Sequence, residues 1–247
     1  MLEADGIGVS FAGVKALDGV SFTVAQGSVT ALIGPNGAGK TTMINVLSGV
    51  VAPTAGAVRF QGQAITGQTP RRRAAAGIRR TFQTVHLFPG LTVRENLLVG
   101  RFHHVASGRW WDALLPPALG DAEGRRMADR ALDLLGLRAH ADVVANELPY
   151  GTQRRVEIAR ALMGQPAVLL LDEPAAGMND TETERLCNDI RAVRGQGVTV
   201  FLVEHDMALV MSVLDHVVVF DFGRKLAEGP PAAVQANPAV IESYLGA

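Results

Sequence analysis

The glycine-rich stretch GPNGAGKT at residues 34–41 constrains this chain more than any other feature. The run before it, Val29–Ile33, predicts a strand, and the run after it, Lys40–Ser48, predicts a helix that ends at Gly49. The pattern G-x-x-x-x-G-K-[ST] in this context is typical of a phosphate-binding loop, whose backbone N–H groups surround phosphate oxygens. The residues predicted to bind the nucleotide are Gly34, Pro35, Asn36, Gly37, Ala38, Gly39, Lys40, Thr41 and Thr42.

The order of the predicted elements indicates an α/β fold built on a parallel sheet. The continuous apolar runs in AVLLLDEP and VTVFLVEH are typical of central strands that are buried on both faces. Early strands at Val20–Val24 and Ala57–Phe60 predict an antiparallel layer beside that sheet, and HVVVFDFGRKLAEG predicts a hairpin. From about Phe88 to Met163 the pattern is helical, with Thr92 and Glu95 as a capping box.

Three further segments predict helices. TPRRRAAAGIRR is expected to be a short helix with a solvated arginine face, LCNDIRAV a helix opened by a Thr181–Glu184 capping box, and ANPAVIESYLGA a short terminal helix. The inserted segment around His103, His104 and Trp110 shows no regular pattern, and adjacent histidines face different ways, so we expect no metal site there.

Composition excludes several classes of protein. The formal net charge of −1 argues against a general nucleic-acid binder, and a single cysteine excludes a disulfide within the chain. The N-terminal stretch MLEADGIGVSF lacks the features of a signal peptide. No apolar run approaches the ~18 residues that a membrane span requires.

Polar residues at predicted strand ends are expected to complete the phosphate site. Asp172 and Glu173 follow the apolar run Val168–Leu171, and His205 ends the next strand. Because strand ends on one edge of a parallel sheet converge, Asp172 is expected to hold Mg²⁺ and Glu173 to polarise an attacking water. His205 can donate a hydrogen bond to the γ-phosphate, and Gln83, in RRTFQ, can reach the Mg²⁺ or the water.

The turn LPYGTQ at residues 148–153 runs into the helical stretch RRVEIARAL, upstream of the Asp-Glu strand. With the phosphate-binding loop, this arrangement resembles the ATPase subunits of ABC transporters. Their LSGGQ signature is a second phosphate-binding helix N-terminus, and Leu148, Gly151 and Gln153 match it, whereas Tyr150 replaces its first glycine. The residues expected at the partner's ATP are Leu148, Pro149, Tyr150, Gly151, Thr152 and Gln153.

The resemblance covers the whole chain and implies roles for further residues. Phe11, in FAGVKALDGVSF, matches the aromatic that stacks on adenine, Gln83 the Q-loop, the stretch AAGMND the D-loop, and His205 the switch histidine. The stretches RTFQ, FPGLTVRENL, DEPAAGMN and VEHDM are similar to the Gln-bearing ATPase of branched-chain amino-acid importers. ATPases for urea or amide import and for lipopolysaccharide export are also similar.

The resemblance implies a P-loop NTPase, with a RecA-like core at 1–87 and 164–247, an antiparallel β layer and a helical sub-domain at 88–163. It also implies ATP and Mg²⁺ as cofactors, and two cassettes paired head to tail, so that each ATP lies between one P-loop and the other signature. The expected partners are membrane permease subunits, a second ABC ATPase and, indirectly, an extracytoplasmic binding protein, at the cytoplasmic face of the inner membrane. No nucleic-acid partner is expected.

Pro149 stands where the signature usually carries serine, and proline has neither a hydroxyl nor an N–H to offer a phosphate. Our hypothesis is that the two ATP sites of the assembled transporter are unequal. The alternative is that Pro149 is neutral because Tyr150 or the backbone compensates. Two other classes of protein serve as rivals. A P-loop kinase or GTPase would show GTP preference or phosphate transfer, and a non-transport ABC protein would show DNA-stimulated ATPase activity.

Overall fold

The computed structural model describes residues 1–101, 122–204 and 211–245. A mixed six-stranded sheet has the order β10-β9-β3-β8-β7-β6, in which all neighbours except β10 and β9 are parallel. Its parallel strands are β3 (Val29–Ile33), β6 (Ile78–Arg80), β7 (Val168–Asp172), β8 (Thr199–Val203) and β9 (His216–Asp221), and β10 (Arg224–Gly229) pairs antiparallel at the edge. The predicted parallel sheet and hairpin are therefore confirmed.

A second, antiparallel sheet has the order β2-β1-β4-β5. Its strands are β1 (Leu2–Phe11), β2 (Val14–Val24), β4 (Ala55–Phe60) and β5 (Gln63–Ala64). This is the predicted β layer, and it is larger than predicted, since it includes all of β1 and β2 begins six residues before Val20. The sequence of β1 does not alternate regularly between apolar and polar residues, because its register with β2 shifts between Ala4 and Ile7. Gly6, which has φ 58°, lies at this shift.

The strands of the parallel sheet bury both faces, and successive residues alternate between two cores. Leu169 and Leu171 of β7 belong to the core under the helices, whereas Val168 and Leu170 belong to the core shared with the antiparallel sheet. Helix α1 (Lys40–Ser48) lies in that second core, into which it buries Met43, Ile44 and Leu47. The phosphate-binding loop therefore joins a central buried strand to a helix that is held between both sheets.

The region 88–163 is helical in its described part, as predicted. It contains α3 (Val93–Val99), α4 (Ala122–Leu134) and α5 (Tyr150–Leu162), with short 3₁₀ turns at Arg138–His140 and Ala145–Glu147. The capping box of Thr92 and Glu95 forms. His103, His104 and Trp110 lie outside the described residues, and the division into a core and a helical sub-domain stays a prediction. None of the described helices is long and apolar enough to cross a bilayer.

Two of the predicted segments were wrong in part. The arginine segment forms α2 (Pro70–Ala75) and then enters strand β6, so it is not one helix. The solvated arginine face holds only in part: Arg71 and Arg72 are exposed, whereas Arg73 is 1% exposed and Arg80 pairs with Asp172. A helix α6 (Asp180–Gly195) forms, but its capping box is Asn179 with Glu182 rather than Thr181 with Glu184, which lie inside the helix. The predicted terminal helix is α8 (Pro238–Leu245), preceded by α7 (Pro231–Gln235).

Candidate functional site

Glycines of the loop between β3 and α1 allow the backbone to pack where no side chain fits. Gly34 has φ 149°, and a Cβ there would lie 2.2 Å from the carbonyl oxygen of Phe220. Gly39 has φ 97°, and its Cβ would lie 2.7 Å from the carbonyl oxygen of Ala16. By contrast, Gly37 faces open space. The loop is thus tightly packed at both ends and open in the middle, where a ligand can approach the backbone.

The open side of this loop presents hydrogen-bond donors. The backbone N–H groups of Gly37, Gly39, Lys40, Thr41 and Thr42 have no acceptor within the described part of the chain, as is usual for the first turn of a helix. The Lys40 ammonium donates to the carbonyl oxygens of Gly34 and Pro35 at 2.6 and 2.8 Å. Burial lowers the pKa of Lys40, and the nearby Glu173 and Glu204 carboxylates partly oppose that shift. This arrangement suits an anion that accepts several N–H bonds.

Asp172 ends β7, two strands from the phosphate-binding loop, and its carboxylate is held by Arg80. The Arg80 guanidinium donates to Asp172 Oδ2 at 2.7 Å, and the two side chains are 8% and 7% exposed. Arg80 also donates to Asn45 Oδ1 at 2.7 Å and to Ser48 Oγ at 2.8 Å, both on α1. The arginine therefore ties the end of β6 to the acidic residue of β7 and to the helix that follows the phosphate-binding loop.

Gln83 and Glu173 meet although 90 residues separate them in the chain. The Gln83 amide donates to Glu173 Oε2 at 2.9 Å. Glu173 has φ 44°, an unusual conformation for a residue other than glycine, while its N–H still donates to Val203 of β8 at 3.0 Å. The chain thus leaves β7 through a strained residue whose side chain points to the Q-loop amide, a kind of strain that is concentrated at functional sites.

The residues present fit a magnesium nucleotide. Mg²⁺ in such sites takes one or two protein oxygen ligands and completes its shell with phosphates and water. The Asp172 carboxylate, the Thr41 hydroxyl and the Gln83 amide are oxygen donors of that kind. No cluster of three or more His, Cys, Asp or Glu side chains that could hold a metal was found among the described residues, so a metal here would depend on the phosphates for much of its coordination.

The turn at residues 148–153 opens α5 without a capping side chain. Pro149 is the N-cap, with φ −54° and ψ 149°, and no side-chain hydrogen bond caps the helix. A concave surface in front of this terminus includes Pro149, Gly151 and Thr152 together with the start of α6. A Cβ on Gly151 would lie 2.5 Å from Glu182 Oε1. The helix terminus is accordingly close-packed against a carboxylate of α6.

The other signature residues divide into buried and exposed ones. Leu148 is buried and Tyr150 is exposed. The Gln153 amide donates to the carbonyl oxygen of Leu148 at 2.8 Å, so this side chain closes its own turn. Counted from Leu148, the fifth position of the LSGGQ pattern falls on Thr152. The expected match of Gln153 to the signature glutamine was therefore wrong, because Gln153 lies one residue beyond the pattern.

Two further residues were predicted to belong to the site, Phe11 and His205. Phe11 is 51% exposed at the end of β1. The hairpin that begins there adjoins the phosphate-binding loop, since Ala16 contacts Gly39. His205 lies outside the described residues, but the preceding residue, Glu204, is buried and accepts a hydrogen bond from the Ala175 N–H at 2.8 Å.

Sequence reasoning missed two buried arginines next to the site, Arg80 and Arg154. Arg154 is 0% exposed, on the helix that begins at the signature turn. For Arg80, the sequence signal was its position in RTFQ, three residues before Gln83. For Arg154 the signal was a charged residue on the buried face of α5, since Gly151, three residues before it, and Ile158, four residues after it, are buried.

Comparisons with known proteins agree with this geometry. A family model described as "ABC transporter" matches residues 17–176, and one described as "Branched-chain amino acid ATP-binding cassette transporter" matches residues 224–247. The high-affinity branched-chain amino acid transport ATP-binding protein BraF of Pseudomonas aeruginosa is 44% identical, over 100% of this chain and 98% of its own length. The corresponding protein LivG of Escherichia coli K12 is 41% identical, over 100% and 98%.

Solved structures give the same result. The crystal structure of an ATP-binding cassette of an ABC transporter in its ADP conformation has a TM-score of 0.90 and 35% identity, and the match covers 100% of this chain and 99% of that one. The family model, the full-length relatives and this structure all describe the same kind of protein. The chain belongs to the ABC transporter family and is one of its ATP-binding cassettes.

Proposed function

We propose that this chain is the ATP-hydrolysing subunit of an importer of branched-chain amino acids. The observation that carries the proposal is its end-to-end similarity to ATP-binding proteins named for branched-chain amino acid transport. The separate match of residues 224–247, which include β10, α7 and α8, to a branched-chain amino acid cassette model supports the same substrate class. Urea or amide import, and lipopolysaccharide export, are the alternatives within the family.

The phosphate-binding loop, Gly34 to Thr42, binds the ATP phosphates through its N–H groups and through Lys40, and Phe11 stacks on the adenine. Thr41, Asp172 and Gln83 would hold Mg²⁺, which when bound would supply positive charge against the β- and γ-phosphates. The open amides of the loop and the oxygen donors described above support this assignment.

Hydrolysis requires a water that is oriented and activated beside the γ-phosphate. Glu173 acts as the general base toward this water, since its carboxylate follows β7 at the same edge of the sheet as the phosphate-binding loop. Gln83, whose amide donates to Glu173, orients the carboxylate and the water. His205 donates a hydrogen bond to the γ-phosphate.

The signature turn, Leu148 to Gln153, faces the ATP of a second cassette. With Pro149 at the N-cap, α5 lacks the serine hydroxyl that the family signature carries at this position, whereas the backbone N–H groups and the helix dipole remain. The site that uses this turn is the weaker of two unequal sites, while the phosphate-binding loop of this chain meets the signature of a different partner. The two cassettes bind permease subunits at the cytoplasmic face of the inner membrane, and a binding protein delivers the substrate.

The test uses the chain assembled with its permease subunits and second cassette in proteoliposomes. A leucine-loaded binding protein is expected to stimulate ATP hydrolysis, whereas urea or an amide is not. Glu173→Gln is expected to abolish stimulation, and Glu184→Gln, an exposed glutamate of α6, is the matched control that retains it. Stimulation by urea alone would overturn the substrate class. Phosphate transfer to an acceptor, GTP preference or stimulation by DNA would overturn the transport function.

A further inference from the structure

Arg154 is the most completely buried cation near the site. Its side chain is 0% exposed, and its guanidinium donates to five backbone carbonyl oxygens. The guanidinium nitrogens lie 2.8, 2.9 and 3.1 Å from the carbonyl oxygens of Gln83, Glu173 and Asp172. The carbonyl oxygen of Pro174 accepts at 3.4 Å, and that of Phe82 accepts the fifth hydrogen bond. The charge is balanced by Glu157, one helical turn along α5, at 3.0 Å.

The five carbonyls belong to two stretches of chain that carry the site. Phe82 and Gln83 belong to the proposed Q-loop, and residues 172–174 comprise the last residue of β7 and the two that follow it. One guanidinium therefore holds the backbone of both Gln83 and Glu173, whose side chains meet at 2.9 Å. Glu157 adds a second contact, since its Oε1 accepts from the His86 N–H at 3.4 Å. The pair thus holds residues 82–86 near both ends.

No other side chain can make the same set of hydrogen bonds as the Arg154 guanidinium. A planar guanidinium has five N–H donors in a fixed arrangement, and hydrogen bonds from a charged donor are about twice as strong as neutral ones. A lysine would keep the charge but has a single nitrogen, which cannot contact acceptors on both sides of the fork at once. The spacing of the two backbone stretches therefore depends on arginine itself.

We propose that Arg154 is a positioning residue for ATP hydrolysis, which makes the placement of Gln83 and Glu173 depend on the position of the signature helix. Because Arg154 lies on the first turns of α5, a displacement of that helix moves the carbonyls that it holds. Binding of the partner's ATP at the signature turn is thereby coupled to the catalytic geometry of this chain's own site. This inference rests on the proposed function, since it assigns the regulation of the same site.

A buried arginine elsewhere in the chain provides a matched control. Arg73 is 1% exposed and donates to the carbonyl oxygens of Val46, Leu47, Ile65 and Thr66. These acceptors lie at the end of α1 and after β5, and none belongs to a residue assigned to the site. Replacing Arg73 removes a comparable set of hydrogen bonds without disturbing the Q-loop or the end of β7.

The experiment compares Arg154→Lys, Arg154→Met and Arg73→Met in the assembled transporter. Both Arg154 variants are expected to lower kcat by about tenfold to a hundredfold, the effect of a small misplacement of catalytic groups. We expect KM for Mg-ATP to change by less than about threefold, because Arg154 contacts none of the phosphate-binding loop residues 34–42. In the isolated chain, the rate of amide hydrogen exchange at residues 82–86 should be higher in both Arg154 variants than in the parent. Arg73→Met is expected to lower the melting temperature, with kcat within about twofold of the parent.

The inference is overturned if Arg154→Lys retains full kcat, or if exchange at residues 82–86 is unchanged. It also fails if kcat falls only in proportion to the folded fraction, as in Arg73→Met. Should Arg154→Met not fold, Arg154→Lys and Glu157→Gln preserve side-chain size and keep the test decisive. The exchange measurement requires no transport activity, so it still tests the contact if the wild-type assembly hydrolyses no ATP, a result that would refute the proposed function instead.

Discussion

Arg80→Met is the substitution whose energetic effect the structure defines best. It removes the guanidinium that contacts Asp172 at 2.7 Å while it retains most of the apolar stem. Both side chains are less than a tenth exposed, so water cannot replace the lost partner. Asp172 is left as a buried carboxylate without its cation. The expected result is a large loss of stability at neutral pH.

The size of the loss follows from the burial of the pair. Removing one partner of a buried ion pair costs about 3–5 kcal/mol, because the other charge is left uncompensated. The bonds of Arg80 to Asn45 and Ser48 are also lost, but contributions within one network are not additive. We therefore expect a decrease of about 4 kcal/mol in the free energy of unfolding. The Arg80 cation itself contributes less than this, since much of the loss is the cost of the stranded carboxylate.

Urea unfolding followed by circular dichroism measures this decrease, and a double-mutant cycle separates its parts. Asp172→Asn alone leaves Arg80 bonded to α1, and the double variant removes both charges. The double variant should be less destabilised than the sum of the two single variants by at least about 1 kcal/mol. Arg138→Met provides the control, because its pair with Asp133 lies at the surface and both side chains are more than half exposed. Strictly additive effects at Arg80 and Asp172 would refute the argument.

Three further predictions use other parts of the molecule. Pro149→Ser should raise ATP turnover in the assembled transporter, because a hydrogen bond to a charged group is worth about 1.5–3 kcal/mol, and unchanged turnover would contradict the unequal-site hypothesis. Glu173→Gln should bind Mg-ATP yet remain monomeric by light scattering, whereas an ATP-dependent homodimer would show that LPYGTQ alone suffices. Burial raises the pKa of Tyr244 to about 12, opposed slightly by the adjacent Gly34 backbone, although the hydroxyl makes no well-formed hydrogen bond. Because the unfolded chain ionises first, stability should fall as pH rises from about 10 toward 12. Tyr244→Phe should reduce the loss of stability over this pH range by less than about 1 kcal/mol after solvent screening, which would flatten the plot of melting temperature against pH. An unchanged plot would show that Tyr244 does not cause the loss.

Local patterns predicted the elements whose signals lie within a few residues. The phosphate-binding loop, the buried strands β7 and β8 and the β9–β10 hairpin follow from glycine positions and continuous apolar runs. Where two local patterns overlapped, the sequence could not choose between them. Both Asn179–Glu182 and Thr181–Glu184 fit the capping template, and in the structure the first pair stands at the helix start.

Contacts between distant residues could not be predicted from periodicity. Arg73 is buried because its guanidinium reaches carbonyls 26 and 27 residues earlier in the chain, at Leu47 and Val46. The meeting of Gln83 with Glu173 likewise depends on the pairing of β6 with β7, which brings two distant segments to the same edge of the sheet. A count of charges in the arginine segment cannot distinguish these buried arginines from solvated ones, since only the fold provides their acceptors.

Helix α5 combines two features that have different consequences for a transporter. Its N-terminus, with Pro149 as the cap, has no side-chain hydroxyl at the cap position, which on the proposed function weakens the site that depends on it. Its buried Arg154, five residues later, contacts the backbone of Gln83 and Glu173, two of the residues proposed to act in hydrolysis. A substitution at the cap therefore changes how strongly the partner's ATP holds the helix, but it leaves the connection from the helix to Gln83 and Glu173 in place. On this reasoning, Pro149→Ser and Arg154→Lys should have separable effects: the first should change nucleotide affinity at the shared site, and the second should change the rate of hydrolysis.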